Sequence, residues 1–401
     1  MPPATKADVI VAGLGAHGSA TAYHLAKRGK RVIGFDQFRP PHARGSSYGK
    51  GRVIRTAYSE GPAYVPIVQR ALQLWRELER ESGDSLLRIT GGVYMGPKDS
   101  PGLAGIKRSA GVYKLPYEPM SAADIRKRWP AFRPTDDMAG VYESDNGALF
   151  PEKCIAAHLK QAAKAGADLH VEEPVLSWKA TPGGGVEVKT SKGMYTADKL
   201  VLTVGAWLPK MLDVGMSAPE GALKLPLRIE RQVLHWFEPA RNAADFLPEN
   251  CPNNSWEFEP GKIFYCQANF GDGFKAAFHH MGADIDPDSP PGSASRTVSP
   301  AEVQEMRAAV EKYIPDAAGR HLGASVCMYT DTPDFHFLVD LHPAYKQVVI
   351  GSPCAGHGFK FAAAMGEILA DLALDGRTRH DISLFNVNRL LVPSPSGRGL
   401  G

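Results

Sequence analysis

Gly13-x-Gly15-x-x-Gly18, followed further on by Asp36, is a set of residues whose types and spacing suit the holding of a dinucleotide. Gly13 permits a tight turn out of a strand. Gly15 lets the backbone approach a pyrophosphate, and Gly18 lets helix and strand pack closely. The first helical N–H groups then face the anion, helped by the helix dipole. Asp36 would accept a hydrogen bond from a ribose hydroxyl. An acid there disfavours a 2′-phosphate and hence NADP. The pattern alone does not separate FAD from NAD.

Cations form a second set. A loop rich in Pro, Gly and base follows Asp36 and carries Arg44, Lys50, Arg52 and Arg55. It reads either as a solvated basic loop or as an anion-handling loop over a cofactor. Small residues at 45–47 would let the backbone come close to a planar ring. A second glycine-rich turn, Gly351 to Gly358, is followed by Lys360. Gly205 follows the apolar run Leu200 to Val204. It reads either as another close backbone approach or as a plain strand-to-helix turn.

Metal ligation is not expected. The five cysteines (Cys154, Cys251, Cys266, Cys327 and Cys354) are scattered and form no CxxC pair. That argues against a disulfide framework and a structural zinc site. His279-His280 is the only adjacent His pair, and strand neighbours point to opposite faces.

The elements that must position these residues follow from apolar periodicity. Val9 to Ala12 suits a buried strand, Ala16 to Arg28 a helix ending at Gly29, and Arg31 to Phe35 a second strand, together a βαβ unit. Pro62 to Gly83 reads as a helix with one apolar face through Val68, Ala71, Leu72, Trp75 and Leu78. Leu86 to Gly96 reads as strand, Ser121 onward as a short helix stopping before Pro130, and Val141 to Phe150 as mixed strand and turn. Glu152 to Ala165 is helical and Asp168 to Val171 a strand. A hairpin turns at Ser191 to Gly193. From Leu225 to Phe278 the period changes to two, broken at Pro252 to Asn254 and Gly271 to Gly273, as in an antiparallel sheet. Ser299 to Glu302 is a capping box opening a helix to about Tyr313. Ala324 to Cys327 and Gln347 to Ile350 read as strands, and Phe361 to Leu372 as a helix.

The chain has 401 residues, more than one core usually holds, so two domains are expected. It is 43% hydrophobic and 22% charged, ordinary for a globular protein. A net charge of +3 is too small to imply a nucleic-acid partner. No apolar run is long enough to span a bilayer, so no membrane partner is expected. The first apolar run is the fingerprint strand itself, and a cytoplasmic location is expected.

Four blocks together resemble the monomeric sarcosine oxidase family, which also holds N-methyltryptophan oxidase and fructosyl amino acid oxidases. They are Val-Ala-Gly-Leu-Gly-Ala-His-Gly (11–18), Pro-Pro-His with Gly-Ser-Ser-Tyr-Gly-Lys-Gly-Arg-Val-Ile-Arg (40–55), Cys-Met-Tyr-Thr (327–330) and Gly-His-Gly-Phe-Lys-Phe (356–361). Their order and spacing match from Asp8 to about Asn388. The resemblance implies a flavin-dependent oxidase of the C–N bond of a secondary amino acid, with FAD as cofactor and oxygen as acceptor. It would release hydrogen peroxide and an imine that hydrolyses. A monomer is expected.

The implied fold class is α/β, a Rossmann-like FAD-binding domain plus a substrate domain on an antiparallel or mixed sheet. Residues 1–83, 148–222 and 325–390 would form the discontinuous FAD-binding domain, and 84–147 and 223–324 the substrate domain. Residues 391–401 would be a flexible tail.

By resemblance, Cys327 is the thiol bonded to the flavin ring. Lys275 is the oxygen-activating lysine, and Arg52 packs against the flavin and favours its anionic reduced form. Arg55 and Lys360 hold the substrate carboxylate, a sound pairing of fork and point charge. His279 lies near the substrate amine. Ser46, Val175, Gly205, Gly356, His357 and Gly358 join Gly13, Gly15, Gly18, Asp36, Arg52, Cys327 and Lys360 as expected cofactor contacts. Tyr48, Phe264 and Tyr329 are the expected substrate wall. Sarcosine oxidases tend to have His at Tyr48, Thr at Gly51 and Tyr at Phe264. The changes at Gly51 and Phe264 favour a bulkier N-substituted amino acid over sarcosine. Two other readings stay open: an NAD-dependent dehydrogenase, and a flavin-binding protein without turnover.

Overall fold

The computed structural model describes residues 5–213 and 223–391; the expected flexible tail lies, but for Leu391, outside them. The fingerprint folds as its sequence demands. Strand Thr5–Ala12 runs into helix Ala16–Lys27 and then strand Val32–Phe35. Val9, Ile10, Val11 and Ala12 are all buried, as in a parallel strand covered on both faces. This strand pairs in parallel with Val32–Phe35 on one side and Met194–Leu202 on the other. Val348–Ser352 extends the sheet in parallel, and the Val175–Ala180 and Val186–Thr190 hairpin closes one edge. Helices Ala16–Lys27, Pro151–Lys164 and Ala362–Asp375 pack together over one face. A Cβ at Gly18 would sit 1.7 Å from the Gly13 carbonyl oxygen, so only glycine permits that helix-to-strand approach.

A second eight-stranded sheet carries the other wall of the site. Its order is His321–Asp331, Arg228–Phe237, Phe274–His279, Lys262–Gln267, Asn253–Glu259, Gly92–Pro97, Met138–Glu143 and Glu118–Ser121. All neighbours are antiparallel except Asn253–Glu259 with Gly92–Pro97. One face buries Phe237, Trp256, Phe264 and Phe274 under helix Pro300–Tyr313, whose Ser299/Glu302 capping box is formed. A three-stranded sheet of Arg52–Ile54, Gly147–Leu149 and Leu87–Ile89 joins the layers.

Several expectations are corrected. Arg52 stands on a strand, not in a solvated loop. The hairpin arm and the apolar run at 200 are one strand, Met194–Leu202. Asn253 and Asn254 open a strand instead of breaking one. Cys327 lies inside its strand, which continues to Asp331. The expected boundary at 324/325 therefore cuts a strand that pairs wholly in the second sheet. His280 adopts φ +54°, which ends strand alternation and brings its ring within 4.2 Å of His279. Helix Pro101–Tyr113, capped by Ser100, was not foreseen.

Candidate active site

Two cavities meet between the sheets. The larger, about 340 Å³, runs along the carboxyl ends of the parallel strands. Gly13, Gly15, Asp36, Val175 and Gly205 line it. The second, about 150 Å³, lies against the antiparallel sheet. Arg52, Arg55, His279, Tyr329 and Lys360 line it, with the turn Gly356, His357 and Gly358. Ser46 and Cys354 line both.

The larger cavity is shaped for an anion-bearing ligand. A Cβ at Gly15 would project into open space where the cavity meets the helix. Gly15 is also the N-cap and supplies no side-chain acceptor to the first helical N–H groups. Asp36 takes the N–H of Leu14 at 2.8 Å and of Phe38 at 2.9 Å. A carboxylate has about four acceptor positions, so capacity for a ribose hydroxyl remains. The buried Ser46 Oγ has no partner among the described residues.

The second cavity is cationic. Arg52 donates to the carbonyls of Ser46, Tyr48 and Gly51 and lies 3.5 Å from the Cys327 sulfur. Arg55 donates to Ser59 Oγ at 2.8 Å and to both oxygens of Glu60 at 3.2 Å. Burial alone would raise the Glu60 pKa, but Arg55, His357 and Lys360 hold it well below the usual carboxylate range. Lys360 donates to the His357 carbonyl at 2.8 Å and to the Tyr58 hydroxyl at 3.2 Å. Burial, then repulsion by Arg55, lower the Lys360 pKa to about 7. His279 meets the Tyr329 hydroxyl at 3.2 Å, and burial pushes its pKa far down, so the imidazole is neutral. Gly356, at φ +72°, lies so close to Tyr329, His279 and His280 that a Cβ would approach within 2.7–2.9 Å of them.

Lys360 carries a pH prediction. A bound carboxylate stabilises the protonated amine, so affinity for a simple carboxylate inhibitor is greatest below about pH 7 and falls above it. Titrating an amine-free carboxylate against the absorbance of the loaded enzyme measures this. Lys360→Met should lower affinity and flatten the profile; an unchanged profile would remove Lys360 from carboxylate binding.

Other expected residues lie elsewhere. Gly18 packs helix on strand. Lys275 is 3% exposed behind the basic loop, its Nζ donating to Gly49 O at 2.9 Å and Gly51 O at 2.7 Å. Cys327, also 3% exposed, sits under the Ser46 carbonyl and lines neither cavity. Tyr48 contributes its carbonyl, and its ring lines neither cavity. Phe264 is a correction: it is fully buried in the opposite core, stacked on Trp256. Its neighbour Tyr265 faces the pocket instead, because adjacent strand residues point to opposite faces.

Besides Tyr265, polar lining groups that escaped the sequence reading include His17, Glu60, Tyr94 and Ser255. His17 touches both cavities from an unspecified position of the glycine fingerprint. Glu60 closes on Arg55 from five residues further along the chain. Tyr94 and Ser255 come from the parallel-paired strands of the second sheet.

A dinucleotide cavity opening onto an Arg/Lys pocket suits a dinucleotide-dependent oxidoreductase with an anionic substrate. Residues 8–372 match the family described as DAO, FAD dependent oxidoreductase. The chain is 43% identical over 388 residues to monomeric sarcosine oxidase of Streptomyces avermitilis, covering 96% of this chain and 97% of that one. It is 32% identical over 382 residues to N-methyl-L-tryptophan oxidase of Yersinia pestis, covering 95% and 99%. The crystal structure of L-proline dehydrogenase from P. horikoshii shares the fold, with a TM-score of 0.81 at 21% identity over 96% of this chain and 97% of that one. The chain therefore belongs to the FAD-dependent oxidoreductases, in the group of monomeric sarcosine oxidase and N-methyl-L-tryptophan oxidase, and is an FAD-dependent amine oxidase. The NAD-dependent reading is set aside. No helix among the described residues is long and apolar enough to cross a membrane.

Proposed function

We propose that this enzyme oxidises the C–N bond of a secondary amino acid that carries a free carboxylate, with oxygen as acceptor and hydrogen peroxide as co-product. The carrying observation is the placing of Arg55 and Lys360 on one cavity that shares Ser46 and Cys354 with the dinucleotide cavity. FAD, when bound, supplies the acceptor for the hydride equivalent. The residues present fit it: Asp36 would hold the ribose, and Gly15 with the following helix N-terminus the pyrophosphate. Arg55 and Lys360 orient the substrate by its carboxylate. The substrate amine must be unprotonated to give up hydride, and His279, held neutral by burial, lines the pocket as a hydrogen-bonding partner for the free amine.

The preference for a bulky N-substituent rested partly on Phe264, which faces away, so the substrate's size is left to assay. A screen of peroxide release over N-methyl amino acids, cyclic imino acids and fructosyl amino acids tests the reading. Turnover of one class, lost on esterifying its carboxylate, is expected. No turnover in any class would favour a flavin-binding protein without activity.

Our reading also keeps a monomer working in the cytoplasm, and two domains built on the two large sheets. Gel filtration with light scattering of the loaded enzyme tests the first of these; a dimer would overturn it.

The flavin is proposed to be covalently attached through Cys327. The Arg52 guanidinium lies 3.5 Å from the sulfur, and the Cys-Met-Tyr-Thr block that carries the thiol is the one shared with the family. Cys354 is the competing thiol, since it lines both cavities; burial pushes its pKa up to about 11. Mass spectrometry of the denatured protein should find the mass of FAD on a Cys327 peptide, lost in Cys327→Ser. A flavin on Cys354, or no added mass, would contradict the assignment.

A further inference from the structure

Two buried carboxylates stand side by side on the second sheet, outside the cavity they adjoin. Arg228 pairs with Asp331 and Glu230 with Tyr329, so Glu230 and Asp331 are diagonal neighbours on one face. Neither oxygen of Asp331, a residue only 2% exposed, has a hydrogen-bond partner among the described residues. Glu230 Oε1 is held by the Gly282 N–H at 2.6 Å and by Gln232 Nε2 at 2.5 Å. Its Oε2 is turned toward His280, whose Nδ1 is 3.4 Å away. The same Nδ1 lies 3.8 Å from Asp331 Oδ2.

Charge sharpens the picture. Arg228 reaches Glu230 Oε2 at 3.4 Å, but its Nε is engaged by Asp284 at 2.5 Å. Arg228 is shared between Asp284 and Glu230, leaving the buried pair of carboxylates short of positive charge. A buried charge in that state is costly unless a proton or a metal compensates it.

We propose that Glu230, His280 and Asp331 form a binding site for a divalent cation of the zinc class. Oxygen and imidazole donors at 2.0–2.2 Å from a tetrahedral ion are about 3.3–3.6 Å apart. The distances of 3.4 and 3.8 Å around Nδ1 need only a small closure to reach that, and all three donor atoms lie within 4.8 Å of one another. The bonds to Glu230 Oε1 are the outer contacts that orient a ligating carboxylate. The left-handed backbone at His280 is what turns the imidazole into this cluster, at φ +54°. Water would complete the coordination. An ion here ties together the strands that carry Cys327, Tyr329, Lys275 and His279, since His280 also packs on Tyr329 at 5.2 Å. It would stiffen the pocket wall without touching substrate.

The test uses untagged, flavin-loaded enzyme stripped with chelator and titrated with Co²⁺. Cobalt in a mixed oxygen and nitrogen tetrahedral site absorbs on the long-wavelength side of the flavin bands. About one equivalent should bind, give those bands, lose them to added Zn²⁺ and raise the melting temperature. Asp331→Asn and His280→Ala should lose the bands; His280, half-buried at a strand end, provides the variant least disturbing to folding. Wild-type enzyme that takes up no cobalt would overturn the proposal and assign the pair a shared proton. Equal cobalt binding by His280→Ala would overturn it too.

Discussion

Replacing Lys275 by Met is expected to slow the reaction of the reduced enzyme with oxygen by on the order of 10²–10³, with little change in the reductive half-reaction. The first electron to oxygen creates a small anion, and a fixed cation in a dry site stabilises it without reorganising. Lys275 suits that role geometrically. Its ammonium is fixed by the carbonyls of Gly49 and Gly51, in the loop that presents Ser46 to the cavities and leads into the strand of Arg52. Burial first, and then the Arg52 guanidinium, push its pKa well below the ordinary lysine value. The oxygen rate should therefore fall with rising pH as this amine loses its proton, and Lys275→Met should lack that fall. Stopped-flow mixing separates the half-reactions. Equal slowing of both would assign Lys275 to the integrity of the loop instead.

Arg55→Ala is expected to lower kcat/KM by roughly thirty- to several-thousand-fold, corresponding to about 2–5 kcal/mol for breaking a buried charge pair. Two effects combine. The substrate carboxylate loses its guanidinium partner, and Glu60 is left in the pocket without its ion-pair partner and repels it. Most of the loss should appear in KM, because carboxylate binding is the same before and during C–H cleavage. Glu60→Gln in the same background should recover part of it. An unchanged KM for the best substrate would remove Arg55 from the site.

The parts that could be read from the sequence are those with local periodicity or a local cap. The fingerprint unit, helix Val65–Ser82 closing on left-handed Gly83, and the Ser299 capping box all declare themselves within a few residues. Helix Pro101–Tyr113 did not, because Gly102, Gly105 and Gly111 lower its propensity. Gly105 is needed there, since a Cβ would meet the Ser59 carbonyl at 2.1 Å. The Phe264 error has another origin. A shift of one residue in a strand exchanges core face for pocket face, and the aromatic pair Phe264-Tyr265 offers no local mark of which is which. Tyr94 and Ser255 were invisible because their strands pair in parallel across a long stretch of chain. The His280 cluster was hidden by the assumption of strand alternation at a position where the backbone turns left-handed.

The most direct measurement is anaerobic mixing of the purified yellow enzyme with its best N-substituted amino acid, followed by readmission of oxygen. The flavin absorbance should bleach, then return with about one peroxide per bleached flavin, while the methyl ester of the same substrate leaves the spectrum unchanged at equal concentration. Bleaching by the ester as readily as by the acid would contradict the carboxylate-anchored pocket, and no bleaching by any secondary amino acid would contradict the activity itself.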